Sequence, residues 1–185
     1  NALANNTTAD YNTAVGYGSL SANTTGTRNT GIGRFALTEN TTASDNTTVG
    51  YGSLEKNTTG ANNSALGKGA LFANTTGANN TAVGYGALDA NTTASRNTGV
   101  GTSSLSANTT GAENTAVGYQ SMNNSTTGNR NVAVGDVALD VNTTGDDNTA
   151  IGQGAMGANT TGSQNVAVGQ SALDAGTTAS FNTAV

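Results

Sequence analysis

The seventeen residues Asn80-Thr81-Ala82-Val83-Gly84-Tyr85-Gly86-Ala87-Leu88-Asp89-Ala90-Asn91-Thr92-Thr93-Ala94-Ser95-Arg96 decide the fold, because the whole chain is built from variants of them. The asparagine that opens the unit recurs at Asn12, Asn29, Asn46, Asn63, Asn80, Asn97, Asn114, Asn131, Asn148, Asn165 and Asn182, always 17 residues apart, with no insertion or deletion. A fixed period is the signature of a repeat architecture in which each unit buries its apolar face only against its neighbours. Seventeen residues are too few for a helical hairpin or a propeller blade. They suit one coil of a parallel β-solenoid, with successive coils stacked at ~4.8 Å. The expected fold is therefore all-β: a β-helix or β-roll of about eleven coils, forming a rod of ~50 Å as one continuous array over residues 1–185. The array starts and stops inside a repeat, which reads as an excerpt of a longer fibre.

Numbering the unit from its first asparagine gives slots 1 to 17. Slot 1 is always Asn, including Asn12, Asn29, Asn46 and Asn80, and slot 5 is always Gly, as at Gly16, Gly50 and Gly84. Slots 13 and 14 are always Thr-Thr, as at Thr24-Thr25 and Thr58-Thr59. Slot 4 is Val, Ile or Leu, first at Val15 in the first complete unit, and slot 9 is Leu or Met, as at Leu20. Strands are expected near slots 1–4, 8–11 and 12–14, with turns at slots 5–7 and 15–17. Invariant glycine at slot 5 implies positive φ or a close backbone approach. Slot 15 alternates between Gly and Ala (Gly26, Ala43, Gly60), which argues against a left-handed backbone there. One Val-class and one Leu-class residue per coil form a thin core. Stacked Asn and Thr ladders are expected to supplement it, as is association of three chains through small, uncharged faces, with a single-chain solenoid as the alternative.

Composition narrows the chemistry. Thr, Ala, Asn and Gly make up 116 of the 185 residues, and the chain has no Cys, His, Pro or Trp. Thiolate chemistry, disulfides and the commonest transition-metal ligands are thereby removed. Six Lys and Arg against eleven Asp and Glu make a poor nucleic-acid binder. No apolar run is long enough to span a membrane. No carboxylate pair recurs and no nucleophile–base pair can be assembled. We expect no enzyme, no cofactor and no metal site. The acidic residues, among them Asp45, Glu113, Asp146 and Asp147, are expected to form a solvated edge without a fixed ladder.

The segments Asn131-Val132-Ala133-Val134-Gly135, Asn165-Val166-Ala167-Val168-Gly169 and Asn148-Thr149-Ala150-Ile151-Gly152 resemble the N-x-A-[VI]-G repeats of YadA-like trimeric autotransporter heads. The longer unit from Asn80 to Ala94 is similar to repeats of phage tail-fibre-like and bacterial surface proteins. The resemblance implies a trimeric left-handed β-roll or β-helix shaft on a cell or virion surface, used in attachment. Further copies of the chain are the expected main partner, with a host-surface glycan as a second candidate. The 17-residue period is longer than the usual coil of the autotransporter heads.

Four surface features carry alternative readings. Asn23, Asn57, Asn74 and Asn108 stand in N-T-T sequons and are candidate glycosylation sites, against a purely structural Asn/Thr ladder. Invariant Thr columns raise ice binding, although alternation along a strand would leave only one of the two adjacent Thr outward. Tyr17, Tyr51, Tyr85 and Tyr119 recur every 34 residues at slot 6, with Arg34, Lys68 and Thr102 between them. That order allows cation–π stacking on successive coils and offers an exposed ladder for glycan contact. Thr48-Val49-Gly50-Tyr51-Gly52 spells a potassium-filter string, but a filter needs flanking membrane helices, and a solenoid turn accounts for it.

Overall fold

The computed structural model describes all 185 residues as a parallel β-solenoid of 17-residue coils, about ten turns long and without a helix. Its eleven short strands are β1 Thr13–Val15, β2 Thr30–Ile32, β3 Thr47–Val49, β4 Ser64–Leu66, β5 Thr81–Val83, β6 Thr98–Val100, β7 Thr115–Val117, β8 Val132–Val134, β9 Thr149–Ile151, β10 Val166–Val168 and β11 Thr183–Ala184. They form one sheet in sequence order, all parallel, each residue paired with the one 17 positions on, as in Thr81↔Thr98 and Val83↔Val100. The unbroken period of the sequence is the register of the sheet.

Only slots 2–4 are strand. The strands expected at slots 8–11 and 12–14 are absent, and the backbone explains why. Slot 7 has positive φ in each complete unit, whether Gly52 (61°), Phe35 (61°) or Val137 (48°), and so does every Leu or Met of slot 9, such as Leu20 (51°) and Leu88 (54°). Two left-handed residues separated by one break a strand while keeping N–H and C=O groups aimed along the rod. The slot 9 N–H donates to the slot 8 carbonyl of the next coil, as Leu37 does to Ser53 (3.0 Å), and the slot 7 N–H to slot 6 of the preceding coil, as Phe35 does to Tyr17 (2.9 Å). Of 116 backbone–backbone hydrogen bonds only 20 join strand residues to one another, and bonds such as these two carry the stacking of the coils outside the β-ladder.

The invariant glycine of slot 5 has φ from 124° to 141°, beyond the left-handed well that side chains tolerate. A Cβ on Gly16 would also sit 2.6 Å from the Gly33 carbonyl oxygen, so space and conformation both demand glycine. Slot 15 has no left-handed backbone, as its Gly/Ala alternation implied.

The core is a column of slot 9 Leu and Met, from Leu20 to Met156, flanked by the small residues of slots 3 and 8, such as Ala82 and Ala87. Slot 4 does not belong to it. Val15 was expected inside and is 57% exposed, and Leu66 is 50% exposed. In a three-residue strand the side chains alternate, and the inward place falls to slot 3. The hydrophobic core is thus thinner than the sequence promised, and buried asparagine takes up the remainder.

Candidate functional site

Two asparagine columns run through the interior. In the slot 1 column the Asn29 backbone N–H donates to Asn12 Oδ1 (2.9 Å), and Asn29 Nδ2 reaches across its own coil to the Ala43 carbonyl (2.8 Å). The same bonds recur at Asn46, with Asn29 Oδ1 and the Gly60 carbonyl, and at Asn80, with Asn63 Oδ1 and the Ala94 carbonyl. In the slot 12 column the ladder is side chain to side chain: Asn40 Nδ2 donates to Asn23 Oδ1 (2.8 Å) and to the Ala43 carbonyl (3.0 Å). Where a complete coil has asparagine at slot 12, its slot 15 carbonyl accepts from both columns and ties them together, as Gly26, Ala43 and Gly60 do.

This arrangement bears on the two readings of the sequons. Asn23, Asn57, Asn74 and Asn108 are fully buried, and each donates its Nδ2 both to the preceding asparagine and to the slot 15 carbonyl of its own coil. Both amide protons are used, so in the folded chain these nitrogens are ladder atoms out of reach of a glycosyl donor. Serine at position 125 interrupts the column: Asn108 Oδ1 and Ser125 Oγ are both buried without a partner.

The paired threonines divide their work. Slot 13 is half-buried and its hydroxyl donates to the slot 13 carbonyl of the next coil, as Thr24 does to Thr41 (3.0 Å) and Thr58 to Thr75 (3.0 Å). Slot 14, including Thr25 and Thr59, is exposed all along the rod. No strand alternation operates here, because these residues lie in a bend; neither threonine enters the core.

The outer face of the sheet is made of slots 2 and 4. It holds Thr, Ser, Val, Ile and Leu over eleven coils and no charged residue. Charge lies elsewhere, and part of it forms a ladder that the sequence reading missed. In slot 17, Arg28 pairs with Asp45, Arg96 with Glu113 and Arg130 with Asp147, each at 2.6 Å and each 17 residues apart. The guanidinium hydrogen bonds hold the Asp45 and Asp147 carboxyls below the usual range. The signal was present in the sequence as opposite charges one period apart.

The slot 6 column carries the expected aromatic–cation order. The Arg34 guanidinium lies 5.9 Å from the Tyr17 and Tyr51 ring centres and 4.7 Å from Phe35, and the Lys68 ammonium lies 5.6 Å from Tyr85. Tyr17, Tyr51, Tyr85 and Tyr119 are all exposed. Between slot 6 and slot 10 runs a groove whose floor is slot 7. At Gly52, Gly69 and Gly86 it opens to about 350 Å³, walled by Tyr51, Lys68 and Tyr85 on one side and Phe72, Asp89 and Ser106 on the other. Burial raises the Asp89 carboxyl above its ordinary value. No group of three or more carboxylates comes together that could hold a metal ion. No helix is long and apolar enough to cross a membrane.

Comparison with protein-family models, curated proteins and solved structures finds no match to this chain.

Proposed function

We propose that this chain is a rod segment of an extracellular fibre, a stiff spacer that three copies build around a common axis. The observation that supports it is the outer face of the sheet: slots 2 and 4 present Thr and Val-class side chains without one charge along the whole rod. Parallel sheets are normally covered on both faces, and an uncovered parallel sheet of this length is an association surface. The mechanism of such a protein is geometric. In-register coils resist bending and local opening because each coil is bonded to both neighbours through backbone, asparagine and threonine ladders. The resemblance to trimeric surface adhesins is consistent with three copies.

Sedimentation velocity of the chain tests the reading, with three-copy particles expected at micromolar concentration and rods of roughly 50 Å per segment by electron microscopy. The double variant Val83→Lys, Val117→Lys is expected to dissociate them, since it desolvates two ammonium groups in the contact. A parent chain that stays monomeric at high concentration overturns the trimer.

The exposed slot 14 threonines favour one second reading, an ice-binding face, because they form a regular hydroxyl column at coil spacing. Thermal hysteresis that is lost on replacing Thr59, Thr76 and Thr93 by Lys would establish it, and its absence in the parent removes it.

A further inference from the structure

We infer that the groove over Gly52, Gly69 and Gly86 binds an uncharged, linear oligosaccharide laid along the rod axis. Slot 7 is left-handed in each complete unit, yet elsewhere it carries Phe35, Ser103, Gln120, Val137 and Ser171 with φ between 48° and 61°. Glycine at 52, 69 and 86 is therefore not required by the backbone. Its consequence is space: a Cβ on Gly69 or Gly86 would meet nothing closer than 3.8 Å, and a longer side chain would fill the groove. These are the only three successive coils with glycine at this slot.

The walls supply the two kinds of contact a sugar ring needs. Tyr51, Phe72 and Tyr85 offer aromatic surface for its C–H face. The Asp89 carboxylate and the Ser103 and Ser106 hydroxyls can pair with its hydroxyls. The volume falls within the range of ligand sites, and the mixture of aromatic lining with a few polar groups is their usual composition. Four successive coils contribute to the lining, so an occupant follows the rod rather than entering a closed pocket. The same columns open a second groove at Gln153, Gly154 and Gly157, where no aromatic residue is present and Asp140 and Asp174 stand on the wall. That groove serves as an internal control, since it has the shape without the stacking surface.

The test is NMR titration of the full chain with cellotetraose and, separately, chitotetraose. Saturable shifts of the Gly52, Gly69 and Gly86 amides are expected with at least one of them, and no shifts at Gly154 and Gly157. Gly69→Gln, which copies the residue at position 120, is expected to weaken binding at least tenfold with an unchanged melting curve. Phe72→Ser, outside the left-handed positions, repeats the test should Gly69→Gln melt earlier. Absence of shifts with both sugars, equal shifts in the two grooves, or parental affinity in a folded groove variant overturns the inference. None of these outcomes depends on whether copies of the chain associate.

Discussion

The two asparagine columns pass through the same coils and share the slot 15 carbonyls, yet slot 1 is asparagine in eleven coils of eleven while slot 12 gives way at Ser125 and Gly176. The difference lies in what each Oδ1 accepts. In slot 1 it accepts a backbone N–H of the next coil, as Asn63 Oδ1 does from Asn80 (2.9 Å). In slot 12 it accepts a side-chain amide, as Asn57 Oδ1 does from Asn74 (2.8 Å). A backbone N–H is fixed in place and, once buried, needs a partner. A side-chain amide can turn away or be replaced together with its partner. Invariance thus follows the immobility of the donor and not the depth of burial, which is the same in both columns.

The sharpest way to break this comparison is to truncate one asparagine in each column of neighbouring coils. Asn63→Ala strands the Asn80 backbone N–H and removes the bond from Asn63 Nδ2 to Gly77 (2.9 Å); a loss of about 3 kcal/mol is expected. Asn57→Ala likewise removes a bond to a slot 15 carbonyl, from Asn57 Nδ2 to Gly60 (2.9 Å), but deprives only side-chain atoms of Asn40 and Asn74 of their partner, and is expected to cost about 2 kcal/mol. Chemical denaturation measures both, and hydrogen exchange separates them: the Asn80 amide exchanges faster in the first variant alone. Equal losses and unchanged exchange at Asn80 would refute the explanation of invariance.

The natural interruption offers the converse. Ser125→Asn restores a donor to Asn108 Oδ1 and an acceptor to Asn142 Nδ2, and a gain of about 1–2 kcal/mol is expected in the same denaturation measurement. A third site asks whether the cost lies in the orphaned atom or in polarity itself. Thr48 occupies slot 3, where other coils have Ala or Gly, and its buried hydroxyl has no partner. Thr48→Val keeps the shape and removes the hydroxyl, for an expected gain of about 1 kcal/mol. A loss of stability there would mean that burial of a partnerless hydroxyl costs little in this interior.

The period, the parallel register, the slot 5 glycine and the stacked asparagines were legible because each is a statement about what repeats every 17 residues. The order of aromatic and cationic residues at slot 6 was legible for the same reason. What failed was the assignment of inside and outside within a coil. Val15 and its successors look like core residues by composition, but a three-residue strand has room for one inward side chain, and Ala or Gly takes it. The left-handed leucines of slot 9 were equally hidden. Leucine rarely adopts that conformation, and nothing in L-x-A-N reports that the local cost is met by a buried side chain and a coil-to-coil hydrogen bond. The burial of the sequon asparagines was hidden because N-T-T spells a surface asparagine and a buried ladder in the same letters.

Two outer columns extend the comparison to charge, with the smallest expected effects. At slot 17 the Asp45 carboxyl is held low by hydrogen bonds from Arg28, so its contribution to stability is present above the unfolded carboxyl value and is lost as pH falls through the folded one. At slot 10 burial raises the Asp140 carboxyl, so its ionisation opposes folding at neutral pH and that opposition disappears as pH falls through the raised value. Asp45→Asn is therefore expected to lower stability slightly at about pH 7, and Asp140→Asn to raise it slightly, with both differences smaller at about pH 2, as protonation removes the charges. Denaturant midpoints of the two variants and the parent at both pH values check the signs. The Asp45 pair is exposed and weakens further in salt, whereas the Asp140 effect comes from desolvation and should not. Salt sensitivity confined to Asp45→Asn would show that the same charge, placed in two different columns of the rod, is governed by its partner at slot 17 and by its burial at slot 10.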